Sequence, residues 1–327
     1  MMSDDAAIAA VVEATRKQEA ARPLMDGAAS IFHCFDRPTP KAIVFFHGFT
    51  AIPAQFDAIA TVFHAAGYNV IVPLLPGHGI ADDWSRDHPP PLPEDWQVYE
   101  TFGCFWLQQA AAFGDRVIVG GLSGGANLAG WLAVHHADRV DRALLFAPYL
   151  SNANLAVGLV VRTLDIYFEW KTSSRLKQFG YPGFSMPALR LLVEQGQALL
   201  DEAEAIPAAP MLIVSSDRDL AVNEKDHEVL FESVLRYQPK AWHFCFDAKF
   251  DVPHNMMTEA EGNDCADLVF AIAKAFVQSD LDWAEVLALR DGVDRGERFD
   301  QAVAALELGD RTSPDVLTIV TLMTNAE

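Results

Sequence analysis

The stretch Arg116–His136, RVIVGGLSGGANLAGWLAVHH, decides how the rest of the chain is read. It opens on Val117-Ile118-Val119, an apolar run too short for a helix and rich in β-branched side chains, which predicts a buried strand. Gly120-Gly121-Leu122-Ser123-Gly124-Gly125 follows, and then Ala126, Leu128, Ala129, Leu132 and Ala133 recur at helical spacing. Strand, glycine-flanked serine and helix together fit G-x-S-x-G, in which the serine tops a strained turn and lifts its hydroxyl clear of the sheet. The glycines let strand and helix approach without a colliding Cβ. Glycine-rich strand-to-helix turns also arise for packing alone or to cradle phosphate, so the remaining chain decides between these readings.

The bulk properties narrow the field. A chain of 327 residues that is 51% hydrophobic and 21% charged has the material for a sizeable core, as one large α/β domain with insertions or as two domains. The net charge of −21 argues against a nucleic-acid partner, because phosphate backbones attract clustered Lys and Arg. Cys34, Cys104, Cys245 and Cys265 are scattered without a C-x-x-C pair, which predicts buried free thiols and neither a disulfide framework nor a metal site. No metal or cofactor is expected. The acidic N-terminus does not resemble a signal peptide, and no run approaches the roughly 18 apolar residues of a membrane span. A soluble cytoplasmic protein is expected, with oligomer formation left open.

Taken in order, residues 5–21 predict an alanine-rich amphipathic helix ending before Pro23. Strands are expected near 28–35, over 42–46 and over 69–72, with a helix from Pro53 to Ala66 closed by Gly67. A proline-rich loop at 88–93 leads into a helix whose first turn holds Glu94 and Asp95. After the serine helix come strands at 143–146, 211–215 and 242–246, with a helix near 222–237 between the last two. This alternation predicts a mainly parallel, doubly wound sheet covered on both faces. Residues 149–206 break the rhythm with helical patches and aromatic clusters, which predicts an inserted helical cap. Residues 1–148 and 207–280 then form the core, and 281–327 a C-terminal helical extension.

A serine hydroxyl needs a base to take its proton, and the base needs a third group to orient it. Reactive groups in an α/β sheet gather beyond the carboxyl ends of the strands. That directs attention to Ser216-Asp217-Arg218-Asp219 after one strand and Pro253-His254 after another. Of ten histidines, His135 and His136 lie too far along the serine helix, His64 sits near a helix end, and His243 is inside a strand. His47 reads as structural. His254 is the candidate base, and Asp217 and Asp219 compete as its acid. Negative charge on a reacting carbonyl oxygen also needs donors. The N–H of Gly124, at the positive end of the serine helix, and the N–H of Phe49, after the 42–46 strand, are the candidates.

His47-Gly48-Phe49, Pro76-Gly77-His78-Gly79, Gly121-Leu122-Ser123-Gly124-Gly125, Asp219 and His254 together resemble the α/β-hydrolase fold superfamily, in its order of nucleophile, acid and histidine. The pattern is most like bacterial carboxylesterases and monoacylglycerol lipase-like enzymes, and it spans roughly Ile43 to Val277. Phe49 stands where the hormone-sensitive-lipase branch has a second glycine, and the tail after residue 280 has no counterpart. The resemblance implies Ser123 as nucleophile, His254 as base, and Asp219 rather than Asp217 as the orienting acid. It also implies an oxyanion hole from the amides of Phe49 and Gly124. The expected activity is hydrolysis of short- to medium-chain or aromatic carboxylic esters through an acyl-enzyme, with a small-molecule ester as the partner and Phe168, Trp170 and Phe184 shaping the pocket. An amide or C–C bond hydrolase on the same residues would need an acid such as Asp165 or Glu169 to hold a free amine. A ligand-binding scaffold without catalysis is the alternative of another class.

Overall fold

The computed structural model describes residues 4–170 and 175–324. Residues 171–174 of the expected insertion and 325–327 of the expected C-terminal extension lie outside the described residues. Helix α1 (Asp4–Glu19) leads to a short strand β1 (Ile31–His33), then β2 (Thr39–Phe46). The helix predicted from Pro53 begins as a 3-10 turn (Pro53–Phe56), with proline fitting a first turn that needs no amide there, and continues as α2 (Asp57–Ala65). Strand β3 (Asn69–Val72), helix α3 (Trp96–Ala110), strand β4 (Gly114–Leu122), helix α4 (Gly124–His135) and strand β5 (Val140–Phe146) follow. Asp95 is the cap of α3 rather than part of its first turn, its side chain accepting the Gln97 N–H at 3.0 Å.

Between β5 and the next long strand lie helix α5 (Leu155–Thr163), strands β6 (Tyr167–Glu169) and β7 (Gly183–Ser185), and helix α6 (Met186–Ala203). The antiparallel hairpin of β6 and β7 is an addition, placing Phe168 opposite Phe184. The core resumes with β8 (Met211–Ser216), α7 (Glu224–Leu235), β9 (Trp242–Phe246) and α8 (Ala266–Gln278). Three further helices end the described chain, α9 (Trp283–Asp294), α10 (Phe299–Ala305) and α11 (Val316–Thr324).

Seven strands form one sheet in the order β1-β3-β2-β4-β5-β8-β9, parallel throughout except for β1. The expected strand at 28–35 contributes only its centre, paired antiparallel to β3. Successive side chains of β2 face opposite layers, as strand geometry requires. Phe45 packs on Phe56 and Phe63 on the α2 side, with ring centroids 5.2 and 6.0 Å away, while Phe46 meets Phe102 of α3 at 6.3 Å. The inner strands are buried on both faces, which explains their continuous apolar runs. From β2 the chain steps outward to β3 and returns to β4 on the other side, so the order reverses between β2 and β4. Such a reversal opens a crevice beyond the strand ends.

The C-terminal helices are part of the core rather than a loose tail. Leu281, Val286, Leu289, Val316, Ile319 and Val320 are fully buried. Asp282 and Glu285 form a reciprocal cap at the start of α9, and Arg311 clasps the same Glu285 carboxylate at 2.6 and 2.7 Å. Ile319→Ala is therefore expected to lower the free energy of unfolding by about 2–5 kcal/mol in urea titrations, as for other buried aliphatic truncations. An unchanged transition would show these helices to be a detachable accessory.

Candidate active site

Ser123 joins β4 to α4 with φ 57° and ψ −118°, a left-handed conformation unfavourable for a residue with a Cβ. Its surroundings over-determine that geometry. The Ser123 N–H donates to Phe146 O at 3.0 Å, and its carbonyl accepts from Asn127 N–H at 3.1 Å. The flanking glycines are required by contact rather than by flexibility alone. A Cβ on Gly125 would lie 2.2 Å from Phe46 O, and one on Gly121 would lie 2.4 Å from the Gly125 backbone. The first turn of α4 thus presses directly on the end of β2.

The loops after β8 and β9 bring the other candidates together. His254 Nδ1 and Asp219 Oδ2 are 2.7 Å apart, with the Asp219 side chain 2% exposed. The other Asp219 oxygen accepts the N–H groups of Ala221 and Val222 at 2.8 and 3.3 Å. Asp217 is exposed and turned to Cys245, whose thiol donates to it at 3.3 Å, so it does not share the His254 contact. The two loops are stitched together by Ser216 Oγ, which donates to Val252 O at 2.6 Å, and by Arg218, which pairs with Asp251 at 2.9 Å.

Beside Ser123, the loop after β2 carries Phe49. The Gly48 N–H donates to Gln55 Oε1 at 2.8 Å and the Ala51 N–H to Gly48 O at 3.0 Å. The Phe49 amide has no such acceptor among the described residues. The Gly124 amide is the first of α4, where no intrahelical acceptor exists. His47 is held as a neutral ring by Gly48 O on one nitrogen and the Leu75 N–H on the other, which fits its structural reading. Burial and the neighbouring His78 keep its pKa well below the ordinary value.

A cavity of about 820 Å³ opens over these groups, lined by Ser123, His254, Phe49, Phe168, Trp170 and Phe184. The last three also pack on one another, and Phe184 meets Phe49 edge-on at 5.0 Å, but only Phe184 is buried, Phe168 and Trp170 each being 41% exposed. The Trp170 indole donates to Thr50 Oγ1 at 3.0 Å and the Tyr181 N–H to Thr50 O at 2.9 Å, pinning the insertion to the Phe49 loop. His135 pairs with Glu202 at 2.9 Å and His136 with Cys104 at 3.2 Å, and neither lines the cavity. The four cysteines are free and only half-buried, rather than fully buried as the sequence suggests.

Several participants were invisible in the sequence. Gln55 and Glu261 line the cavity from segments far apart in the chain, and no motif marks either. His227 donates to Pro148 O at 2.8 Å and meets Ser215 Oγ at 2.9 Å, fixing the chain just after β5.

Electrostatically, burial pulls the His254 pKa down, but the charge and hydrogen bond of Asp219, helped by Glu261, outweigh it and hold the value above 6.5. Burial raises Asp219, and His254 with the two loop amides more than reverses that. The contribution of His254 to stability is therefore complete below the unfolded histidine value and lost as pH rises through the folded one. That of Asp219 is complete above the unfolded aspartate value and lost as pH falls through the folded one. An NMR titration of the His254 ring is expected to give a midpoint above 6.5, moving down in Asp219→Asn, where burial is opposed only by the charge of Glu261. A midpoint indifferent to that substitution would contradict the pairing.

Comparison with known proteins places the chain. The α/β-hydrolase fold family model matches residues 41–230, more than half of the sequence. A thermostable monoacylglycerol lipase of Bacillus sp. (strain H-257) is 28% identical over 220 residues, covering 65% of this chain and 82% of that one. Esterase YjfP of Escherichia coli (strain K12) is 30% identical over 125 residues, 36% of this chain and 49% of its own. Among solved structures, one of the metagenome-derived lipolytic enzymes LipS and LipT superimposes with a TM-score of 0.62 at 18% identity, over 78% of this chain and 98% of that one. A soluble variant of monoglyceride lipase from Saccharomyces cerevisiae gives 0.62 at 13% identity, over 76% and 91%. At such identities the likeness is one of fold. No helix among the described residues is long and apolar enough to cross a membrane. With its reversal point between β2 and β4, its serine turn and its matched sequence, the chain belongs to the α/β-hydrolase fold family.

Proposed function

We propose that the protein is a serine hydrolase of carboxylic esters that works through an acyl-enzyme. The observation that carries this reading is the convergence on one cavity of a serine held in a left-handed turn and a histidine bonded to a buried aspartate. Ser123 Oγ attacks the ester carbonyl while His254 Nε2 takes its proton. Asp219 keeps the Nδ1 proton directed at itself and stabilises the imidazolium that forms. The amides of Phe49 and Gly124 receive the developing oxyanion, aided by the positive end of α4. Collapse of the tetrahedral intermediate breaks the ester C–O bond, and His254 protonates the departing alcohol. Water then attacks the acyl-enzyme with the same histidine as base, and the acid leaves.

Residues 149–206 act as the cap over a core made of 1–148 and 207–280, and the helical extension 281–327 adds its buried apolar side chains to that core. The mostly apolar cavity of about 820 Å³ suits a drug-sized or lipid-sized ligand and favours short- to medium-chain or aromatic acyl groups. The name of the Bacillus relative makes glycerol monoesters the first natural substrates to try. An amide-cleaving reading has less support. Asp165 is exposed and held by Arg190 at 2.7 Å, Glu169 is exposed on β6, and neither is among the residues lining the cavity.

Ser123→Ala and Asp219→Asn are each expected to lower kcat on p-nitrophenyl esters by roughly 10⁴-fold. Asp217→Asn, altering an exposed group, is expected to stay within about twofold of wild type. Activity should rise with pH as His254 loses its proton, with the midpoint displaced upward as its raised pKa requires. An acyl-chain series measured alongside aminoacyl amides reads the cavity. Full esterase activity in Ser123→Ala, or faster turnover of amides than of esters, would overturn the proposal.

A further inference from the structure

One buried carboxyl in the cavity wall takes no part in the proposed reaction. Glu261 closes a short 3-10 turn (Glu259–Glu261) and is 6% exposed, yet it lines the cavity together with Ser123 and His254. Burying a carboxyl costs stability unless hydrogen bonds compensate. Here Gln55 Nε2 donates to Oε1 at 2.9 Å and Thr258 Oγ1 to Oε2 at 3.0 Å. Gln55 is itself buried and spends its own carbonyl on the Gly48 N–H at 2.8 Å. A continuous strut therefore runs from Glu261 through Gln55 to the amide of Gly48, the residue before Phe49. The same turn is tied to the insertion, because the Lys177 N–H donates to Ala260 O at 2.8 Å.

We propose that Glu261 is a positioning residue that couples the two halves of the site: through Gln55 it fixes the Gly48–Phe49 turn carrying one oxyanion amide, and it stands in the same cavity wall as His254. The inference rests on the reading of Ser123 as nucleophile and His254 as base. An amide donor misplaced by a fraction of an ångström loses much of its effect in the transition state, so a loop lacking regular structure gains from a buried strut.

The surrounding charges fit this role. Burial lifts Glu261 to about 7, with the hydrogen bonds from Gln55 and Thr258 drawing it back. The titratable groups facing His254 are Asp219 from the loop after β8, His227 from α7 and Glu261 itself, and Lys177 of the insertion faces Glu261. Burial keeps His227 below its ordinary value, so Asp219 and Glu261 are the anionic partners. As Glu261 ionises near pH 7, the proton on His254 is held more firmly.

Two variants separate the strut from the charge. Glu261→Gln keeps the shape and removes the charge, so the acid limb of kcat/KM should move to lower pH with the plateau kcat within about threefold of wild type. Gln55→Leu cuts the strut, so kcat on the alkaline plateau should fall roughly tenfold with little change in KM, the signature of a loss confined to the transition state. Folding of each is checked by circular dichroism. Should Glu261→Gln not fold, Glu261→Asp retains the charge but shortens the reach to Gln55, and must lose plateau kcat while leaving the limb in place. A Glu261→Gln profile superimposable on wild type, or a Gln55→Leu or Glu261→Asp enzyme with wild-type kcat, would overturn the proposal. Activity surviving in Ser123→Ala or His254→Ala is a different result, and it strikes the underlying mechanism instead.

Discussion

The first turn of α4 meets the end of β2 with the Gly125 Cα lying against Phe46 O, where a methyl group would come within 2.2 Å. Much of the site geometry follows from that contact. It needs glycine on both sides of Ser123, it drives Ser123 into a left-handed conformation, and it sets the first amide of α4 beside the loop that carries Phe49. The reversal of strand order between β2 and β4 is what makes the two neighbours, since Phe46 and Gly121 pair across the sheet. A strained turn survives only where its surroundings hold it. Here the hydrogen bonds to Phe146 and Asn127 do so, and buried strands on both sides leave no room to relax.

Onto this turn the sheet delivers groups from loops, and each loop is tethered. The acid loop and the histidine loop are joined by Ser216, Val252, Arg218 and Asp251. The Phe49 loop is held from one side by the insertion through Thr50 and from the other by Gln55. An apolar cavity amplifies the charges that remain in it, because fewer waters screen them. The Asp219–His254 pair and Glu261 therefore influence one another more than the same groups on a surface would.

The sequence made the parallel sheet legible because doubly buried strands are continuous apolar runs, and Val117-Ile118-Val119 and Ala143–Phe146 are of that kind. Ser123 was legible because it follows such a run at a place where chain direction must change, and His254 because it lies in the loop after the last predicted strand. Asp219 stood out from Asp217 only through the resemblance; its partner His254 lies 35 residues on, and nothing local expresses that contact. The β6–β7 hairpin escaped because strands of three residues carry too little alternation to register. Gln55 and Glu261 escaped for a related reason. They are 206 residues apart, and an isolated Gln in a helical turn or Glu in a loop gives no sign of burial until the fold closes over it.

The measurement that bears most directly on this account is covalent labelling of the native protein with a fluorophosphonate, followed by peptide mapping. If Ser123 is the nucleophile proposed above, it should take one adduct, and labelling should collapse in a folded His254→Ala variant. Native protein that remains unlabelled, or an adduct on any residue other than Ser123, would contradict it.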